Sequence, residues 1–284
     1  MVAIVLTVSA ATGLAVAAVP RQDADPPGSA RPALPPPNAA IPRDPADIAA
    51  ALATTTRQLR DALGGWDAAD PVPEDVTLLA LHQQRILRKL ASHRALGDAT
   101  IARLPLDVRG EARDSVFARR QLTAIPRSPG RLPRIRIGSA ARAAQLRTFY
   151  AEAQRRFRVH WSVLAAVNFV ESAFGRLRNR SEAGARGPMQ FLPSTWQAYG
   201  MGGDIDDPHD AIMGAANYLR RSGAPRNYER ALFAYNHSTH YVRAVRRFAS
   251  RMRRDDRTFL TYYAWQVYVR TADGVRRVTG PGLD

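Results

Sequence analysis

WSVLAAVNFVESAFG, residues 161–175, holds ten apolar residues in fifteen and a single ionisable group, Glu171. It is the most hydrophobic helical stretch of the chain after the N-terminal run. Ser162 reads as its N-cap and Gly175 as its C-terminal stop. Desolvation disfavours the charged form of a carboxyl, so a Glu among Val, Leu and Phe has a raised pKa and keeps its proton near neutrality. A protonated carboxyl within reach of a substrate is a general acid. The plainer readings are a Glu on the one exposed strip of the helix, or one paired to Arg176.

Three features favour the general acid. Glu171 lies in the last turn of its helix, beside Ser172, at the mouth of a loop rather than inside a rod. The loop that follows, NRSEAGARGPMQFLPSTW at 179–196, combines backbone-turning Gly184, Gly187 and Pro188 with Met189, Gln190, Phe191 and Trp196. Apolar faces and amides together suit sugar rings. Further on, LFAYNHSTHYV at 232–242 offers Tyr235 and Asn236 just before a turn.

Taken in order, Glu171-Ser172, Gly187-Pro188-Met189-Gln190 and Ala234-Tyr235-Asn236 resemble the motifs of the lytic transglycosylases, peptidoglycan-cleaving relatives of goose-type lysozyme. The resemblance covers about residues 141–270 and says nothing of 46–124. The GPMQFLPSTW loop is similar to that of the membrane-bound murein transglycosylases. Two departures from the pattern stand out: Pro188 replaces the commoner Leu, and His237-Ser238 replaces the usual Ala-Gly after Asn236. The resemblance implies a lysozyme-like helical domain that cleaves between N-acetylmuramic acid and N-acetylglucosamine and leaves 1,6-anhydro ends. It further implies Glu171 as sole catalytic acid and base, Tyr235 orienting it, and Ser172, Met189, Gln190, Phe191, Asn236 and Tyr241 around the sugar. Two alternatives stay open: a hydrolytic muramidase using Glu182 or Asp204 as a second carboxylate, and a non-catalytic peptidoglycan-binding scaffold.

The rest of the chain supplies a setting. Residues 1–19 are uncharged and apolar, an expected signal peptide or membrane anchor, which implies export to the cell envelope, anchored or secreted. Residues 20–45 are a Pro/Ala-rich linker. Residues 46–124 are an accessory helical region: Leu52, Leu59 and Leu63 mark one amphipathic helix, and Leu78, Leu81, Ile86, Leu87 and Leu90 another. A second linker at 125–140 precedes the catalytic domain, 141–284. There Pro193 and Pro208 start helices, with Asp207 an N-cap, and Tyr241 opens a helix burying Val242, Val245, Phe248 and Met252. Asp273-Gly274 marks a C-terminal hairpin. The fold class is therefore mainly α, with a small β-hairpin at the end.

Composition narrows the partners. With 41 Lys+Arg against 25 Asp+Glu the net charge is +16, which favours anionic wall polymers beside the peptidoglycan itself. The arginines are dispersed and match no nucleic-acid motif, so nucleic acid is not an expected partner. There are no cysteines and no HExxH among the six histidines, so neither a metal nor a cofactor is expected.

Overall fold

The computed structural model describes residues 33–126, 134–271 and 274–283. The described residues form eleven helices and one hairpin. The first four helices are α1 (Pro45–Gly64), α2 (Glu74–Ser92), α3 (Arg94–Arg103) and α4 (Leu106–Thr123). Next come α5 (Ala143–Phe157), α6 (Trp161–Ser172), α7 (Pro193–Tyr199), α8 (Pro208–Arg221) and α9 (Tyr228–Tyr235). α10 (Thr239–Arg254) and α11 (Arg257–Ala264) lead to the antiparallel strands β1 (Tyr268–Thr271) and β2 (Gly274–Arg277), which pair Tyr268 with Arg277. The expected signal or anchor at 1–19 and the turn residue Asp273 lie outside the described residues. Among those described, no helix is long and apolar enough to cross a membrane.

α6 is apolar on every face, and a helix of that kind has to be surrounded. Every residue from Ser162 to Asn168 is buried, with α5, α8, α10 and α11 packed about it. Its cap differs from the expectation. The helix begins at Trp161, and His160 is the N-cap, its Nδ1 accepting the Ser162 N–H at 3.2 Å. Ser162 lies within the helix, its hydroxyl bonded to the same ring at 2.9 Å. An imidazole reaches the first-turn donors as well as a hydroxyl does, which residue-type preference does not anticipate.

At its other end α6 stops abruptly. Ala173, Phe174 and Gly175 take φ of +52°, +65° and +84°, so the chain reverses through three left-handed residues. Two of these carry a Cβ, a strained arrangement that must be held from outside. The Phe174 ring supplies part of the hold, stacking on Phe169 at 5.5 Å and meeting Phe259 edge-on at 5.5 Å.

α10 is the most strongly two-faced helix. Tyr241, Val242, Ala244, Val245, Phe248, Ala249 and Met252 are buried, while six arginines occupy the other face and the final turn. One side of it packs on α6 and another on α4. Across the second interface Asp114 of α4, only 1% exposed, pairs with Arg247 at 2.9 Å, with Arg254 and Arg251 at 3.8 and 4.0 Å. α2 is tied equally closely to the C-terminal segment. Gln84 donates to the Gln266 carbonyl at 2.8 Å and accepts its N–H at 2.9 Å, and Gln83 accepts the Trp265 indole N–H at 3.1 Å. Buried amides satisfied on both sides fix register as well as position. Leu34–Asp284 accordingly form one compact unit, with α1–α4 sharing the core of the later helices.

Candidate active site

Glu171 projects from the last turn of α6 into a cavity of about 580 Å³. Part of its surface reaches solvent, yet protein atoms crowd it on the remaining sides. That crowding pushes the carboxyl up from 4.5 to about 7, opposed only by the hydroxyl of Tyr241. A partly open carboxyl with dense apolar surroundings is reachable and still protonated near neutrality. Arg176 does not pair with it: Nε donates to the Ala173 carbonyl at 2.9 Å and Nη2 to the Trp265 carbonyl at 2.7 Å.

Two tyrosines face the acid. Tyr241, from the first turn of α10, is 2% exposed, and its hydroxyl has no partner at regular hydrogen-bond geometry although it couples to Glu171. Ser238, which stands where the transglycosylase pattern has a glycine, caps α10 and accepts the Tyr241 N–H, so this departure helps to place the tyrosine. Tyr235 ends α9 and feels the Glu171 charge, but its hydroxyl donates to the Met189 carbonyl at 2.6 Å. The Tyr235 hydroxyl thus bonds to the loop and not to the acid it is expected to orient. Both phenols are pushed well above their usual pKa by burial and by the nearby carboxyl, so they remain neutral donors.

The loop after α6 is built from within. The Ser172 hydroxyl donates to the Pro188 carbonyl and accepts the Gly175 N–H at 2.7 Å, and the residue is 1% exposed. It holds the loop against the end of α6, so its hydroxyl serves the loop, while the residue also lines the cavity. Gly187, at φ +79°, packs so closely that a Cβ would stand 2.0 Å from the Ile205 carbonyl oxygen. Met189 and Phe191 are buried at 0% and 2%, with Phe191 edge-on to Trp196 and Tyr235 at 5.2 and 5.7 Å. These two form the loop's own core instead of the expected subsite surface, because a loop of this length needs apolar anchors. Gln190 is half-buried, donating to the Asn179 and Gly187 carbonyls at 3.2 and 3.1 Å. Asn236 is half-buried too, and its side-chain amide has no hydrogen-bond partner among the described residues.

The comparisons with known proteins bear on this arrangement. Residues 148–258 match the model of the Transglycosylase SLT domain. The stretch carries a partly open acid at the end of a buried helix, a Gly-x-Met-Gln loop bonded to that helix end, and two tyrosines turned toward the acid. Residues 148–258 are similar to a transglycosylase SLT domain. The chain is also 31% identical, over 136 residues, to the membrane-bound lytic murein transglycosylase F of Thiobacillus denitrificans. The match takes in 45% of this chain and spans 26% of that relative's length.

Glu171, Ser172, Met189, Gln190, Phe191, Tyr235, Asn236 and Tyr241 all fall inside the SLT domain. The cavity itself does not end there. Part of its lining comes from Gln84, Arg88 and Lys89 of α2, Arg119 of α4 and Tyr268 at the start of β1, all outside the matched segment. Sequence reasoning missed these residues. They belong to no motif, and only packing of α2, α4 and the hairpin beside α6 brings them to the acid.

Beside the SLT domain's α8, Asp207, His209 and Asp210 approach one another within 4.8 Å. Each is committed internally. Asp207 caps α8 by accepting the Asp210 N–H at 3.0 Å, as its place before Pro208 predicts. Asp210 accepts the Asp204 N–H at 2.9 Å, and His209 bridges Asp210 and Glu152 at 3.1 and 3.2 Å.

Proposed function

We propose that the protein cleaves the glycan strands of peptidoglycan between N-acetylmuramic acid and N-acetylglucosamine, without water, leaving 1,6-anhydromuramic ends. The observation that carries the reading is the Glu171 carboxyl, open to a 580 Å³ cavity and raised to about 7 by burial. One group can then act as acid and afterwards as base.

In the first step Glu171 gives its proton to the glycosidic oxygen. The bond from muramyl C1 to that oxygen breaks, and the N-acetylglucosamine leaves with a free C4 hydroxyl. The carboxylate then takes the proton of the muramyl C6 hydroxyl as that oxygen bonds to C1. Glu171 ends the cycle protonated, and no water is consumed. Tyr241, a neutral donor at the carboxyl, steadies the intervening carboxylate. Tyr235 acts one step removed, holding the Met189 carbonyl and with it the loop. Asn236, a half-buried amide, is the candidate for sugar hydroxyl and acetamido groups, while Gln190 gives its amide to the Asn179 and Gly187 carbonyls.

The hydrolytic alternative needs a second carboxylate near the first. Among the described residues Glu171 is the only Asp or Glu lining the cavity, while Glu182 and Asp204 stand exposed elsewhere. The surplus of cations would hold the enzyme on an anionic wall, a contact that weakens with salt. The name of the Thiobacillus relative and the apolar residues 1–19 both favour the cell envelope as the place of action.

Mass spectrometry of the fragments released from purified sacculi tests the reading. The wild type yields muropeptides one water lighter than reducing-end fragments, and Glu171→Gln yields none. Reducing ends would mean a hydrolase, and no release by the wild type would mean a binding scaffold.

A further inference from the structure

Arg119 is a cavity residue that the reaction above leaves unused. It reaches in from α4 with its guanidinium over the Trp265 ring, Cζ 4.5 Å from the centroid. Nε and Nη2 are closed off from solvent and have no hydrogen-bond partner among the described residues. Arg176, the other deeply sunk arginine on this side of α6, gives its donors to two carbonyls. Arg119 has no such outlet. Burial and the neighbouring Arg88 push it down to about 9, so it is still a cation at neutral pH. No acid acts on it among the described residues: Glu171 is the only carboxyl on the cavity, and with a pKa of about 7 it carries only part of its charge at neutrality. Lys89 adds a further cation to the same wall, its ammonium 2.9 Å from the Pro42 carbonyl.

A buried cation with idle donors and no counter-ion is disfavoured unless an anion arrives to complete it. Nε and Nη2 lie on the edge of a guanidinium that grips a carboxylate side-on with two parallel bonds. Arg119 as a residue is half-buried and lines the cavity, so an entering anion can reach its guanidinium.

We propose that Arg119 seats a carboxylate of the peptide stem borne by the muramyl sugar, making the enzyme selective for peptide-bearing strands over bare glycan. The proposal rests on the glycan-cleaving reading above. It also gives α4 a part in the site: the helix supplies the substituent pocket, while the SLT domain supplies the acid.

The experiment compares kcat/KM on peptide-bearing strands with that on the same strands stripped by an amidase. The wild type prefers the peptide-bearing strands. Arg119→Gln lowers that preference about tenfold, the loss expected for a charge-assisted bidentate contact, and Arg119→Lys keeps part of it. A preference unchanged in Arg119→Gln overturns the proposal, even if both rates fall together. Should the variant not fold, the wild type is inhibited by a muramyl peptide and by the same compound with its carboxylates amidated. Equal inhibition overturns the proposal; so does a phosphate-bearing wall polymer that competes where the muramyl peptide does not. A wild type that cleaves both strands equally defeats this proposal alone, whereas one that cleaves neither defeats the glycan-cleaving reading.

Discussion

The hydroxyl of Tyr241 is sealed inside the protein and faces the carboxyl of Glu171, the two side chains coming from the packed helices α10 and α6. The tyrosine lowers the pKa that burial raises, so the acid settles at about 7 between opposing influences. With no regular partner elsewhere, the phenol is able to tighten onto the carboxylate once the proton has gone.

Tyr241→Phe removes that brake. The pKa of Glu171 rises further, and the alkaline limb of the pH–rate profile moves to higher pH. The rate falls by about tenfold, the effect of losing one hydrogen bond to a charged group. An alkaline limb that stays in place would show that the two groups do not communicate.

Glu171 should also be visible in stability. Its folded-state pKa of about 7 stands above the 4.5 of a free glutamate, so the folded state binds the proton more tightly. That contribution is complete below the unfolded value and is lost as pH rises through the folded one. Glu171→Gln is therefore expected to gain stability over the wild type between about pH 5 and pH 8, on the order of 2 kcal/mol after allowing for partial exposure. Urea unfolding across this range measures it, and a pH-independent difference would contradict the raised pKa. Activity of the wild type falls as pH rises above about 7, because the first step needs the acid form.

Ser172→Ala leaves the Pro188 carbonyl and the Gly175 N–H without their shared partner inside the protein. Stability drops by about 1–3 kcal/mol for the unsatisfied groups. If the serine acts by holding the loop, kcat and thermal stability decline together. A selective rise in KM with unchanged stability would return it to the role of sugar contact.

Asp114→Ala tests the junction of α4 with α10. The substitution removes the carboxylate between Arg247, Arg251 and Arg254 and leaves three cations facing one another. The cost is about 2 kcal/mol, below that of a fully buried pair because Arg247 and Arg254 are 40% and 61% exposed. Thermal unfolding gives the number. A shift in the pH–rate profile alongside it would show that the junction also steadies Tyr241, which sits on the same helix.

Much of the fold is legible in the sequence because local rules suffice for it. Apolar spacing marks α1, α2 and α10, prolines mark the starts of α7 and α8, and Asp207 caps where it should. The His160 cap escapes those rules, since a histidine is read as a side chain with other uses.

The site divides along the same line. Three short motifs point to Glu171, and an apolar run by itself implies a proton held near neutrality, because desolvation depends on which residues crowd the acid. The sequence could not say which motif residues face a substrate and which hold the loop. Ser172, Met189 and Phe191 prove to be internal supports, and Tyr235 reaches a backbone carbonyl instead of the acid. Nor could it bring Arg119 and Gln84 to the acid, since their place depends on packing across as many as 182 positions of chain. Sequence thus determined the helices and the acid, whose causes are local. Tertiary structure alone decided what surrounds the acid, because burial and orientation are properties of neighbours that the chain brings together only by folding.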